Sequence, residues 1–417
     1  MRVGWLQRGT SGDRRFGKGG TAVQLTAGAA DPHAVGKLGR GALASALKGF
    51  VEAGRTDVPW RRSGLVSVLA GLSVLVAASQ AAADPRLGSV RVPDGVAVRG
   101  TLLTVGGKPW QFTGINVPQA ATDYAINGGC GAAIGLLPFF DSLPLDSVVR
   151  VNFAQDETID VGTGRDPSVV NRDWRALDQV VADADQSTSH VRLIAYLGTQ
   201  GGVCDGGVFK SDDWYKTGYL QPYSGPAGYG DSVGYAHSSY WTYLQEVVTR
   251  YAGNPAILMW EPMNEPEASE CLPGYSGAGC YGNDTCPADA TKTLVDWLDR
   301  VGAEIHALDP GTLVGTGELT GAQCGWSGGG ELAIDEAAGV DVASFHDYGS
   351  YNVAMTGGLL AAIADAKRAG KPLVLGEVGI PAGEACPTTS LPKQGTDSWA
   401  KLHAALAAGA AGWLAWC

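Results

Sequence analysis

Two short segments of this chain end in a carboxylate after an apolar run, and they hold the residues best placed to do chemistry. Ile257–Pro266 reads Ile-Leu-Met-Trp-Glu-Pro-Met-Asn-Glu-Pro and contains Glu265, while Lys371–Gly379 reads Lys-Pro-Leu-Val-Leu-Gly-Glu-Val-Gly and contains Glu377. A continuous apolar run is typical of a strand buried on both faces, where an unpaired charge is costly. At the C-terminal rim of a parallel barrel, however, catalytic residues follow the strands. Two carboxylates at one rim are what glycoside hydrolysis needs, because one protonates the leaving oxygen and the other attacks the anomeric carbon or activates water.

The sequence around Glu265 makes this interpretation specific. A single Glu at the end of a strand is more often a capping or ion-pairing residue. Here Trp260 precedes Asn264-Glu265-Pro266, and with this motif the chain resembles the clan A retaining glycosidases, and within them glycoside hydrolase family 5, the cellulase and β-mannanase family. The resemblance implies that Glu265 is the general acid/base, that Glu377 is the nucleophile, and that Asn264 contacts the 2-hydroxyl of the sugar.

Four further residues match positions around the carboxylate pair in that family. Arg150, in the apolar run Val148–Phe153, matches the Arg that hydrogen-bonds the nucleophile, where an adjacent guanidinium lowers a carboxylate pKa. His346 and Tyr348 match the family's His-x-Tyr after strand 6, with the Tyr beside the nucleophile and the His near the sugar or the acid/base. Trp416 matches the aromatic platform of subsite −1, where a ring face stacks on a pyranose. Without the resemblance, these residues are an ordinary surface Arg, a structural His and a core Trp.

The main departure from the family pattern lies at the third predicted strand. Many family 5 cellulases carry a His at the end of this strand, whereas Leu193–Gly202 contains none and His190 lies before it. Gln200 is expected to supply a polar contact to the substrate instead. Mannanase branches of the family often lack this His, which favours mannan.

Other residues near the predicted rim are assigned supporting roles. Loop aromatic residues are candidates for further sugar subsites: Trp326, Trp214, Tyr215, Tyr219, Tyr223 and Tyr351. Three further acids near strand ends are interpreted as hydrogen-bond partners of the substrate or of the catalytic groups: Glu261, Glu318 and Asp347.

The order of the predicted elements indicates how these residues are positioned. Apolar runs predict eight strands: Trp110–Val117, Ser147–Phe153, Val191–Leu197, Ile257–Glu261, Leu313–Gly317, Asp341–His346, Leu373–Glu377 and Gly412–Trp416. Apolar residues at helical spacing predict helices between most of them, including 167–185, 238–251 and 291–308. Strands that alternate with helices form a parallel sheet, so eight such units predict an α/β fold, a (β/α)8 TIM barrel that ends after strand 8 without the last helix. Val96–Gln111 predicts a hairpin closing the bottom of the barrel.

Hydropathy and charge divide the 417 residues into three segments. Residues 1–57 are rich in Gly, Ala and Arg and are interpreted as a non-structural extension or a start site assigned too far upstream. Residues 58–83 have the order of a secretory signal peptide, with Arg61-Arg62 before an uncharged apolar stretch that ends in Ala81-Ala82-Ala83. A membrane anchor is the alternative, but the apolar core is short for a bilayer. Residues 84–417 are the predicted catalytic domain, and the protein is expected to be secreted.

The predicted catalytic domain is strongly acidic. Residues 84–417 hold 19 Lys and Arg against 38 Asp and Glu. This charge argues against nucleic acid and against an anionic membrane surface as partners. No stable membrane partner is therefore expected, and the chain is expected to be a monomer.

The eight cysteines all follow the predicted signal peptide, as expected for an oxidising compartment. No Cys-x-x-Cys pair occurs, so no zinc site is predicted. The sequence does not choose among the pairings, but Cys271, Cys280 and Cys286 share one Gly- and Pro-rich loop and are expected to pair at least once among themselves. A disulfide between Cys386 and Cys417 is a further hypothesis.

Together these patterns predict a secreted retaining endo-β-glycanase that hydrolyses β-1,4-linked polysaccharide of the mannan or cellulose type. Glu377 forms a glycosyl-enzyme, and Glu265 protonates the departing oxygen and then deprotonates water. Neither a metal nor another cofactor is implied, and the expected partner is a polysaccharide or oligosaccharide substrate. Two alternatives stay open: the same chemistry on another β-glucan or cell-wall glycoside, and a catalytically impaired barrel that only binds polysaccharide.

Overall fold

The computed structural model describes residues 95–123, 129–227, 233–319, 323–348, 355–380 and 390–416. The segments interpreted from sequence as an N-terminal extension and a signal peptide lie outside these residues. So do Tyr351, Cys386 and Cys417. Within the described ranges, no helix combines the length and the apolar composition that crossing a membrane requires.

Eight parallel strands form one sheet that closes on itself. They are β1 (Phe112–Val117), β2 (Val148–Asn152), β3 (Arg192–Tyr196), β4 (Ile257–Glu261), β5 (Leu313–Val314), β6 (Ala343–Asp347), β7 (Leu373–Gly379) and β8 (Gly412–Trp416). Neighbours follow the chain from β1 to β5, and β8 pairs with β1 on the other side and with β7. Between β5 and β6 the contact is a single parallel bridge, Gly315 to Val342. The predicted (β/α)8 barrel is confirmed.

Helices alternate with these strands and cover the outside of the sheet. They are α1 (Leu137–Asp141), α2 (Arg175–Gln186), α3 (Tyr240–Tyr251), α4 (Ala290–Leu308), α5 (Gly330–Asp335), α6 (Gly357–Ala369) and α7 (Leu391–Ala408). The inner face of α4 shows why the sequence forms such a helix, because Leu294, Leu298, Val301 and Ile305 are fully buried at helical spacing. The first turns of α3, α6 and α7 are capped by the hydroxyls of Ser239, Thr356 and Ser390.

The fifth strand is shorter than the predicted Leu313–Gly317. Gly317 has a φ of 70°, a left-handed conformation that ends the regular ladder and that glycine adopts without strain. A Cβ at this position would lie 2.1 Å from the carbonyl oxygen of Met263. The chain after β5 therefore turns tightly against the loop that follows β4.

A small antiparallel sheet closes the N-terminal end of the barrel. It has three strands, Val96–Arg99, Leu102–Val105 and Lys108–Trp110, over the segment that the sequence predicts as a hairpin. The third strand forms because Gly106 and Gly107, both at positive φ, make a second tight turn. Leu103 packs with Phe112 and Leu414 inside the barrel, so substrate access is left to the opposite, C-terminal rim.

Several connections at the C-terminal rim carry additional structure. Three two-stranded ladders occur there: Thr122–Asp123 with Gly129–Cys130, Tyr223–Pro226 with Gly234–His237, and Glu270–Cys271 with Asp284–Thr285. A short helix, Asp212–Lys216, lies between β3 and α3.

Disulfides join the same connections. The described cysteines form the pairs Cys130–Cys204, Cys271–Cys280 and Cys286–Cys324, and the second pair confirms the expected pairing within the Gly- and Pro-rich loop. The third pair links the loop after β4 to the loop after β5.

Candidate active site

Glu265 and Glu377 face each other at the C-terminal rim of the barrel. Glu377 lies within β7, and Glu265 lies four residues beyond the end of β4. One carboxylate oxygen of each lies within 4.8 Å of the other. The two carboxyl groups are therefore close enough to act together on one bound molecule.

The backbone at Glu265 is unusual and is firmly held. Its φ is 54°, a conformation that costs a non-glycine residue on the order of 1–2 kcal/mol. The Glu265 amide donates to the carbonyl of Gly317 at 2.7 Å, and the Glu265 carbonyl accepts from Gln323 Nε2 at 3.1 Å. The loop after β5 thus fixes the direction in which this carboxylate points, as is common where strain persists at functional sites.

Arg150 binds several groups of the site at once. From β2, its Nη1 donates to Glu377 Oε1, its Nη2 to Asn264 Oδ1 and its Nε to Glu261 Oε2, each at 2.7 Å. The guanidinium is fully buried and lies 4.6 Å from the ring centroid of Tyr196. Only the planar fork of an arginine makes such divergent contacts from one charged group. Glu261 is consequently a partner of Arg150.

Burial and hydrogen bonding act in opposite directions on Glu377. Burial raises the pKa of this carboxyl, and the nearby Glu265 adds to the increase, while Arg150 and the Tyr348 hydroxyl lower it. Arg150 therefore offsets the effect of burial on the pKa, as the sequence suggests, but does not reverse it. The Tyr348 hydroxyl donates to Oε2, so each oxygen of Glu377 accepts a hydrogen bond.

Glu265 has the environment expected of an acid that stays protonated near neutral pH. Burial raises its pKa to about 7, against a smaller lowering by Arg150. Its Oε1 lies 2.9 Å from Nδ1 of His346, which lies 3.7 Å from Glu377 Oε2. Burial lowers the pKa of His346 to about 4, so the imidazole is neutral where the enzyme would work. The two carboxyl groups thus differ in their surroundings, as a division into acid and nucleophile requires.

Tyr348 and Trp416 lie together beside β7, the strand that carries Glu377. A Cβ at Gly379 would be 2.5 Å from Tyr348 Cε1 and 3.5 Å from Trp416 Cδ1, so only glycine lets the tyrosine ring approach β7 this closely. Tyr348 is 39% exposed and Trp416 is half-buried. Both rings therefore remain accessible from the rim.

Two residues assigned to substrate contact are placed elsewhere. Gln200 is buried, and its amide donates to the carbonyls of Lys210 and Glu267 and accepts from the Tyr215 hydroxyl. Trp326 is 1% exposed, and its Nε1 donates to the carbonyl of Pro266 at 2.7 Å. Both predictions need correction, because these side chains are used to hold the rim loops together and present no free group to a ligand.

The other loop aromatic residues and strand-end acids named from the sequence also lie against groups of the protein itself. Tyr215 and Tyr219 are buried in a cluster with Trp214, and Tyr223 stacks on His237. Glu318 is fully buried near Glu331 and Asp335. Asp347 forms an ion pair with Lys401 of α7.

Sequence reasoning missed two residues at this site. Asn116, on β1, accepts from Arg150 Nη1 at 3.3 Å and donates to the carbonyls of Gly376 and Ala415; a polar residue inside an otherwise apolar strand was the available signal. Tyr281 lies against Gly201, with its hydroxyl oxygen 2.9 Å from where a Cβ would be. Tyr281 is 45% exposed overall, and the partial burial of its hydroxyl, then Glu265 and Glu267, raise its pKa. No pattern in the 271–286 loop distinguishes Tyr281 from its neighbours.

Potential metal ligands lie close together at the carboxylate pair, but their other contacts do not fit a cation site. Glu265, His346 and Glu377 offer one atom each within 4.8 Å of one another. The Arg150 guanidinium is already bound to Glu377, however, and Tyr348 donates to the same carboxylate. The Glu377 oxygens thus face one positive charge and two hydrogen-bond donors. This arrangement stabilises the carboxylate anion itself.

Fold and site together define a barrel enzyme with a paired-carboxylate centre at its C-terminal rim. The family model described as cellulase (glycosyl hydrolase family 5) matches residues 205–417. This match spans half of the chain and includes both carboxylates, so the chain belongs to glycoside hydrolase family 5. Arg150 lies before the matched segment and is placed in the site by the structure.

Curated relatives and a solved structure are similar to this chain. The probable mannan endo-1,4-beta-mannosidase F of Emericella nidulans is 28% identical over 233 residues, which cover 52% of this chain and 44% of that protein. The probable mannan endo-1,4-beta-mannosidase A-1 of Aspergillus terreus is 26% identical over 258 residues, 57% of this chain and 56% of that protein. The chain thus spans about half the length of these curated relatives. The endo-1,4-beta-mannanase of Rhizomucor miehei shares the fold, with a TM-score of 0.53 at 18% identity over 77% of this chain and 90% of that chain.

Proposed function

We propose that this protein is a secreted retaining endo-β-1,4-glycanase whose substrate is β-1,4-mannan. The observation that carries the proposal is the facing pair of Glu265 and Glu377, within 4.8 Å of each other and in different surroundings. A catalytically impaired barrel would not need to keep this separation, the Arg150 contacts and the raised pKa of Glu265 together.

In the first step, Glu377 attacks the anomeric carbon while Glu265 protonates the departing oxygen. Arg150 and Tyr348 hold Glu377 by its two oxygens, which fixes the attacking carboxylate and favours its ionised form. The C–O bond of the glycoside breaks as the bond to Glu377 forms, and the leaving sugar takes the proton of Glu265.

In the second step, the ionised Glu265 removes a proton from water, which attacks the same carbon and releases Glu377. The exchange of roles follows from microscopic reversibility. A carboxyl with a pKa of about 7 is matched to both tasks, since it gives up and regains a proton near neutral pH.

Mannan is preferred over cellulose on two grounds. The curated relatives that match this chain are described as mannan endo-1,4-beta-mannosidases. In addition, the end of β3 carries no His, and Gln200, the polar residue that follows it, is occupied by contacts within the protein. Secretion is supported by three disulfides among the described residues, which persist in oxidising compartments.

The test is hydrolysis of a polysaccharide panel by the purified protein, with Glu265→Ala and Glu377→Ala as matched inactive controls. We expect release of mannooligosaccharides from linear mannan, little release from carboxymethylcellulose or β-1,3-glucan, and a first product of retained configuration by proton NMR. Activity on cellulose alone would refute the proposal that mannan is the substrate. Polysaccharide binding without hydrolysis by the wild type would refute the proposal that the protein is an active enzyme.

A further inference from the structure

We propose that Lys401, through its buried ion pair with Asp347, is a positioning residue that aligns Tyr348 and His346 with the carboxylate pair. The inference rests on the proposed function, because it concerns the same two carboxylates. Lys401 lies on α7, outside the barrel, and does not itself contact Glu265 or Glu377 in the described contacts.

Asp347 lies between the two residues that contact the carboxylates. Side chains alternate along a strand, so His346 and Tyr348 share the inner face while Asp347 points outward. In the sheet, His346 pairs with Glu377 and Asp347 pairs with Val378. Asp347 is thus the last residue of β6 in register with the nucleophile strand, and Tyr348 follows just beyond it.

The ion pair fixes this strand end from outside. Lys401 Nζ donates to Asp347 Oδ2 at 2.7 Å, and the two side chains are 2% and 3% exposed. The Thr356 hydroxyl, at the start of α6, donates to the other oxygen at 3.4 Å. A buried carboxylate without its cation is strongly unfavourable, so β6, α6 and α7 are held in one arrangement.

Lys401 is also unexpected on its own helix. The buried residues of α7 besides Lys401 are Leu402 and Ala405, so a charged side chain occupies an otherwise apolar face. A methionine would fill similar space there without the desolvation cost. The positive charge of Lys401 is therefore explained by its ion pair with Asp347, which lies between two residues of the active site.

The variant Lys401→Met tests the role. Without the ion pair the end of β6 shifts, and the Tyr348 hydroxyl loses its alignment with Glu377. We expect kcat on mannan to fall about 10- to 100-fold, as for a misplacement of roughly 1 Å, with KM changed less than threefold. Because the Tyr348 hydroxyl lowers the pKa of Glu377, the acid limb of the kcat/KM profile should move to higher pH.

A second buried ion pair provides the matched control. Lys210 Nζ lies 2.7 Å from Asp205 Oδ2, with both side chains at most 4% exposed, but the pair lies in the loop after β3. Lys210→Met should lower the unfolding temperature as Lys401→Met does. Lys210→Met should leave the acid limb of the kcat/KM profile at the pH of the wild type. Lys401→Gln, which keeps a polar tip near Asp347, replaces Lys401→Met if that variant does not fold.

A double-mutant cycle with Tyr348→Phe separates positioning from stability. If Lys401 acts through Tyr348, Lys401→Met should reduce kcat much less in the Tyr348→Phe background than in the wild type. Additive losses, or a loss of stability with an unmoved acid limb, would overturn the inference while leaving the proposed function intact. A wild-type protein without glycanase activity would instead refute the proposed function, and this inference with it.

Discussion

Nη1 of Arg150 donates to Oε1 of Glu377 at 2.7 Å, and the rest of the same guanidinium reaches Glu261 and Asn264. One buried cation therefore donates hydrogen bonds to two buried carboxyl groups. It also orients the side-chain amide of Asn264, which precedes Glu265 in sequence. The position of Glu377 thus depends on residues from β2 and β4 that never touch the anomeric carbon.

Arg150→Lys should show how much of this depends on shape. A lysine keeps the charge but cannot span three acceptors in a plane. We expect kcat to fall on the order of 100-fold and the unfolding temperature to drop, because Glu261 or Asn264 loses its partner. Arg250→Lys alters an exposed pair with Asp178 and serves as the control. Wild-type kcat in Arg150→Lys would contradict this reading of the site.

The roles of the two carboxylates predict different responses to the leaving group. Glu377→Ala should abolish turnover, and added azide should not restore a product of retained configuration. Glu265→Ala should still form the glycosyl-enzyme from activated aryl mannosides, because a good leaving group needs no acid. Rates measured across a series of phenol leaving groups decide the matter. Equal dependence on leaving-group pKa in both variants would reverse or remove the assignment.

The pH profile should be a bell whose basic limb belongs to Glu265. Burial raises the pKa of Glu265 to about 7, and the first step needs its protonated form. Hence kcat/KM on mannan should fall as the pH rises through about 7. With a dinitrophenyl mannoside this limb should disappear, since that leaving group departs without protonation. A basic limb common to both substrates would show that another group titrates.

Stability should also depend on pH through Glu331. Burial raises its pKa from 4.5 to about 7, so the folded state holds a proton that the unfolded chain releases. The contribution of Glu331 to the free energy of unfolding is then fully present below pH 4.5 and is lost as the pH rises to about 7. Above that pH it does not change further. Glu331→Gln should therefore raise the unfolding temperature by about 2–4 °C at about pH 8, with no gain at low pH. The exposed Glu336→Gln serves as the control for removing one negative charge.

Much of this fold follows from patterns that are local in sequence. The strands β4 and β7 are continuous apolar runs, and the period of α4 is helical, so alternation of the two elements indicates a parallel barrel. The bounds of β5 could not be predicted in the same way. Its ladder ends early because Gly317 turns against Met263, a contact between two loops.

The site was predictable where a motif and a strand end coincide, as at Glu265 and Glu377. It was not predictable where the function of a residue depends on the direction in which its side chain points. Gln200 and Trp326 have residue types suited to sugars, yet both side chains bind backbone carbonyls inside the loops. The ion pair of Asp347 was likewise hidden, because its partner Lys401 is 54 residues away in the chain.

Asn116 has a consequence for how this scaffold can change its specificity. Its amide donates to the carbonyls of Gly376 on β7 and Ala415 on β8, one residue before Glu377 and one before Trp416. Glu377 and Trp416 therefore lie on two strands that are cross-linked by one amide, and a shift of either strand displaces the other. Adaptation to a new sugar at β8 would carry a penalty in reaction rate. The part of the loop after β4 that is closed by the Cys271–Cys280 disulfide does not contact Asn116 among the described residues and can vary in sequence without disturbing that cross-link.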